Sequence, residues 1–80
     1  MPPYQEQFPI GARVRVRSTE QLRAFQSEWK WHHPLEDGRL PFAGQESFVE
    51  DVGFYHGGDV LYGLRGIPGT WHEACLESAE

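Results

Sequence analysis

Asp37-Gly38-Arg39-Leu40-Pro41-Phe42-Ala43-Gly44 stands between a strand entered by glycine, Gly11-Ala12-Arg13-Val14-Arg15-Val16-Arg17, and the ending Gly69-Thr70-Trp71-His72-Glu73-Ala74-Cys75-Leu76-Glu77. Pro41 removes a backbone donor, and Gly38 and Gly44 admit conformations closed to other residues, so the segment punctuates the chain between strands. A strand opened by Gly11, an Arg-Leu-Pro segment closed by Gly44, a strand leaving that glycine and a Trp-x-Glu-x-x-Leu-Glu exit make an ordered series. Short strands spaced by such breakers read as a small barrel.

Upstream, apolar residues recur with a period of two. Ala12, Val14 and Val16 fall on one face and Arg13, Arg15 and Arg17 on the other, which predicts a half-buried strand with a basic outer face. Ser18 and Gln21 carry capping-box spacing, and Leu22, Phe25 and Trp29 follow at helical intervals, predicting a helix over 19–28 that packs this face over one open end of the barrel. Pro34, Gly38, Pro41 and Gly44 end the helix and predict a long loop over 30–44, a length that is usually functional when it is ordered.

Downstream, 47–55 reads as a strand with Phe48, Glu50, Val52 and Phe54 on one face, Val49, Asp51 and Tyr55 on the other, and Gly53 marking a bulge or bend. His56-Gly57-Gly58-Asp59 is a hairpin turn, 60–65 the returning strand and Gly66-Ile67-Pro68-Gly69 a second turn. Thr70-Trp71-His72 begins the next pairing. Glu73-Ala74-Cys75 reads as one 3₁₀ turn before a short closing strand at Leu76 and Glu77.

The whole pattern resembles the SH3-like barrel shared by the nitrile hydratase β subunit, the ferredoxin-thioredoxin reductase variable chain and related electron-transport accessory proteins. Arg39-Leu40-Pro41 with Gly44 resembles the former, although no Gly-His-Thr precedes it; Trp31-His32-His33-Pro34 ahead of Phe42 and Gly44 resembles the latter. The resemblance implies a mainly β fold: a small five-stranded SH3-like barrel with one short helix inserted after the first strand. Residues 1–7 would be a flexible arm and 8–80 a single domain. It also implies a non-catalytic accessory or protein-binding module that braces another subunit, including a redox or metal-bearing enzyme subunit. Its contacts would come from Trp31, His32, His33, Arg39, Leu40, Pro41 and Phe42. In the alternative, a small nitrile-hydratase-like β subunit lends Arg39 to a partner's metal site.

Composition narrows the function classes. A chain of 80 residues buries about 60 to 65% of its unfolded surface, enough for one small core without a deep catalytic cleft, so no small-molecule substrate is expected. The net charge of -5 argues against phosphate-backbone binding, leaving a nucleic-acid interface through Arg13, Arg15, Arg17 and Trp31 as the weakest reading. Arginines crowd the first half and carboxylates the second, a dipolar surface suited to a protein partner. Cys75 is the sole cysteine, which excludes an intramolecular disulfide, and no apolar run approaches the roughly 20 residues of a spanning helix. A cytoplasmic location without membrane association is expected.

Chemistry-bearing residues are few. His32, His33, His56 and the His72-x-x-Cys75 pair do not supply the four converging ligands of a structural zinc site, so no metal or cofactor is expected. Cys75 lies between Ala74 and Leu76 with Glu73 and Glu77 nearby, which reads as a small buried apolar residue rather than an activated thiolate. The pairs Glu36-Asp37 and Glu50-Asp51 read as solvated surface, and no catalytic residue is assigned. By composition the strongest anchor is the aromatic run around Trp29 and Trp31, since tryptophan dominates interface hot spots.

Overall fold

A computed structural model describes residues 6–30, 33–55 and 59–80. Strand β1 (Arg13–Val16) leads into helix α1 (Thr19–Glu28) and a 3₁₀ segment, Asp37–Phe42. Strands β2 (Glu46–Tyr55), β3 (Asp59–Leu64) and β4 (Ile67–His72) then meander, and a 3₁₀ turn, Glu73–Cys75, delivers β5 (Leu76–Ser78). The sheet order is β4-β3-β2-β1-β5, with every pairing antiparallel. This is the mainly β, five-stranded arrangement with one inserted helix that the sequence predicts, compatible with a small barrel.

The length of β2 makes closure possible. Its first residues pair with β1 (Arg13 opposite Phe48), and its remainder pairs with β3 (Val52 opposite Tyr62). The register slips between Val49 and Asp51, so an extra residue bends the strand and strengthens its twist at the point where it changes partners. The bulge therefore lies at Glu50, and Gly53, predicted to mark a bulge or bend, pairs regularly with Leu61. The slip also changes which residues face inward: Ser47 and Val49 are buried, Val52 packs on the core, and Phe48 and Glu50 lie outside. The predicted single face of Phe48, Glu50, Val52 and Phe54 is corrected accordingly.

The helix forms as the sequence predicts. The Ser18 side chain accepts from the Gln21 backbone N–H, and the Gln21 side chain accepts from the Ser18 N–H, satisfying two donors that a helix start otherwise leaves open. Leu22 is fully buried, while Phe25 and Trp29 stack on each other at 5.5 Å. The loop after the helix is more regular than predicted. Asp37–Phe42 winds as a 3₁₀ helix that tolerates Pro41, and Gln26 Nε2 ties it to α1 by donating to the Leu35 carbonyl (3.0 Å) and to Asp37 Oδ1 (2.7 Å).

The predicted turn at 66–69 shortens to Arg65 and Gly66, the latter at φ +76°, and Ile67, Pro68 and Gly69 already belong to β4. Proline is tolerated there because β4 is an edge strand, where a missing N–H removes no necessary bond. The predicted turn at His56-Gly57-Gly58 lies outside the described residues, though the strands on either side pair as a hairpin up to Tyr55 opposite Asp59. The core gathers Val14, Val16, Leu22, Val49, Tyr62, Leu64, Trp71, Cys75 and Leu76. Phe8 closes one end, and Tyr62 Oη accepts from the backbone N–H groups of Gln7 and Phe8, so the chain is anchored back to Gln7.

Candidate protein-binding surface

The sequence-predicted contact residues divide into two groups. Trp31 and His32 lie outside the described residues. Arg39, predicted to reach a partner, turns inward instead: its guanidinium sits 5.2 Å over the Trp71 ring and donates to the Thr70 carbonyl at 2.8 Å. Gly69, at φ +92°, makes room for it, since a Cβ there would stand 2.2 Å from Arg39 Cζ. Leu40 and Phe42 pack against the core, Phe42 edge-on to Trp71 at 6.3 Å, and only Pro41 of this group is exposed. The Arg-Leu-Pro segment is thus the plug on a fully buried tryptophan.

His33 belongs elsewhere. Its backbone is left-handed (φ 50°), its carbonyl accepts from His72 Nε2 at 2.7 Å, and its ring meets Tyr55 edge-on at 5.3 Å. A carbonyl can only accept, so that hydrogen bond assigns the proton to His72 Nε2. These contacts set His33 at one margin of a groove of about 630 Å³ on the outer face of β2, β3 and β4.

The groove follows from two glycines. Gly53 and Gly63 bring no side chains to this face, so Leu61 is left on the floor, buried but outside the main apolar cluster. Asp51 leans across Gly63, where an added Cβ would meet the Asp51 Cβ at 3.3 Å. Its carboxylate makes no hydrogen bond or ion pair among the described residues. Tyr55 stands at the rim at 39% exposure, while Phe54, paired with the buried Val60, lies on the same side of β2 as Val52. The sequence did carry a signal for this face. A strand with Phe48, Val49, Val52, Phe54 and Tyr55 has apolar residues on both sides, and in a barrel only one side reaches the core.

The basic face predicted for β1 is occupied. Arg13 and Arg15 bind Glu46 at 2.5 and 2.9 Å, Arg15 also binds Glu77 at 3.1 Å, and Arg17 Nε donates to the Leu76 carbonyl. Hydrogen bonding to Arg15, then to Arg13, holds the Glu46 carboxyl below its ordinary pKa, and the same contact raises Arg15. These are exposed cross-strand pairs, worth little individually, but they neutralise the stripe that phosphate binding would require.

Inside the barrel, Tyr62 Oη donates to Glu73 Oε2 at 2.5 Å, and burial followed by this bond pushes the phenol up to about 12. Burial likewise pushes the Cys75 thiol up to about 12, which keeps it protonated and poorly nucleophilic. Among the described residues no group of three or more His, Cys, Asp or Glu could hold a metal ion, and no helix is long and apolar enough to cross a membrane. Comparison with family models, curated proteins and solved structures found no match to this chain.

Proposed function

We propose that the chain is a non-catalytic protein-binding module that docks the outer face of β2, β3 and β4 onto a partner protein presenting a Lys or Arg side chain. The observation that carries this reading is the groove itself. It has an apolar floor at Leu61, an aromatic rim at Tyr55, and an Asp51 carboxylate with no ion-pair partner among the described residues, on a chain of net charge -5. A cation entering there would gain a counter-ion and an aromatic face together, the combination that favours guanidinium and ammonium groups.

The resemblance to accessory barrels adds an expectation about the partner, namely a redox or metal-bearing enzyme subunit. The reading in which Arg39 enters a partner's metal site is less well supported, because that side chain would have to leave Thr70 and Trp71. The test is quantitative recovery of co-purifying proteins with the tagged chain from its own host, repeated with Asp51→Lys and Tyr55→Ser. One partner should be lost from both variants while their circular dichroism stays unchanged. Retention of that partner by both variants would refute this surface, and its identity would show whether it carries a redox centre.

A further inference from the structure

A second exposed apolar site lies beyond the groove, at the junction of the N-terminal segment with the first half of β2. Ile10 and Phe48 are 67% and 49% exposed and border one shallow depression with Gly11, Val49, Glu50 and Arg65. The backbone fixes their relation. Gly11 N–H donates to the Val49 carbonyl at 2.8 Å, which sets Ile10 beside β2, and Arg65 N–H donates to the Phe48 carbonyl at 3.0 Å, which sets Arg65 across from Phe48. Glu50, the bulge residue, is displaced along β2 from Phe48, whereas Arg65 is displaced across it. Neither the Glu50 carboxylate nor the Arg65 guanidinium has a partner among the described residues, although most other arginines of the barrel are engaged.

We infer that this patch is the contact between two copies of the chain, related by a two-fold axis. The argument is charge complementarity. A partner of one sign would satisfy either Glu50 or Arg65 and oppose the other, but a second copy turned by a two-fold brings Arg65 of each chain to Glu50 of its mate, with Ile10 and Phe48 closing between them. Such isologous pairing needs a surface complementary to itself, and an apolar centre flanked by one anion and one cation meets that condition. The patch is far smaller than the roughly 800 Å² per partner of a stable complex, so the dimer is weak and reversible.

Sedimentation velocity on the purified chain, from about 10 μM to about 1 mM, should show monomer passing to dimer, with added salt shifting the balance toward monomer. Phe48→Ser should abolish the dimer with the fold intact by circular dichroism. Glu50→Arg and Arg65→Glu should each weaken it by about tenfold, because like charges then face each other twice, and combining them should restore it to within about threefold. A chain that stays monomeric throughout, a dimer indifferent to Phe48→Ser, or a double reversal that restores nothing would each overturn the inference. No co-purifying partner is needed for any of these measurements, so they stand or fall separately from the groove.

Discussion

The Asp37–Phe42 segment and the outer face of β2 carry the same kinds of residue and use them in opposite ways. Each combines aromatic rings with charged side chains. In the first, Arg39 and Phe42 turn inward onto Trp71, where cation, ring and carbonyl satisfy one another. In the second, Tyr55 and Asp51 stay at the surface around a glycine-lined groove. The difference lies in what each faces. A buried tryptophan at the mouth of a small barrel needs a lid, and a charged residue can be that lid when its stem covers apolar surface and its head finds an acceptor. β2 commits Val49 and Val52 to the core, and on its other side Tyr55 stays partly exposed with the His33 ring edge-on to it.

The sharpest way to break this comparison is Trp71→Ala. Trp71 is fully buried and is touched by both Phe42 and Arg39, so truncation leaves a large cavity and strips the lid of its purpose. The expected cost is about 3 to 5 kcal/mol, a large fraction of the stability of so small a domain. Urea denaturation should show the chain largely unfolded. A retained midpoint would mean that Trp71 is not the centre of this core.

Next in size is Arg39→Ala, which removes a charged hydrogen bond and a cation–π contact for about 1 to 3 kcal/mol. Gly69→Ala should cost about 1 to 2 kcal/mol through its positive φ, and more while Arg39 occupies the space a Cβ would need. In the double variant that steric part disappears, so the combined loss should be smaller than the sum of the single losses. Strict additivity in a thermal or urea double-mutant cycle would deny that Arg39 is held over Gly69.

How much was legible in the sequence depended on the range of the interaction involved. The cap at Ser18 and Gln21 joins residues three apart, and the alternation of Val14 and Val16 belongs to one strand, so both could be read directly. The bulge at Glu50 answers to β2 pairing with β1 and β3 at once, a demand visible only in three dimensions, while Gly53 supplied a misleading local signal. Ile67-Pro68-Gly69 looked like a turn because the sequence does not announce that β4 lies at an edge. For the candidate site, the sequence singles out His33 and Arg39 through their loop, but the inward contacts of Arg39 with Gly69, Thr70 and Trp71 were not legible because those partners lie some thirty residues away. Asp51 and Tyr55 were seen as strand residues and not as a surface.

The polar end of the core sharpens the comparison through pH. Tyr62 has its pKa raised from 10.0 to about 12, so the stabilisation it brings is present below pH 10 and is lost as pH climbs through 12. The Cys75 thiol, raised from 9.0 to about 12, adds a loss that begins near pH 9. Tyr62→Phe should cost about 1 kcal/mol at neutral pH, because Glu73 and the Gln7 and Phe8 N–H groups lose a partner, and it should flatten the fall in Tm between pH 10 and 12. An unchanged alkaline slope would mean that the phenol is not confined as described.

The smallest expected effect falls on the outer face. Tyr55 is half-exposed at the rim, and the core already has its share of β2 in Val49 and Val52. Tyr55→Ser should therefore shift the urea-derived stability by no more than about 1 kcal/mol, the scale of an edge-on ring contact such as the one it makes with His33. The contrast with Arg39→Ala carries the meaning: a charged residue of the exposed-looking Arg-Leu-Pro segment should matter more to folding than an aromatic residue of a strand. If Tyr55→Ser destabilised the chain more than Arg39→Ala, the rim would belong to the fold, and the groove would lose its standing as a surface kept for a partner.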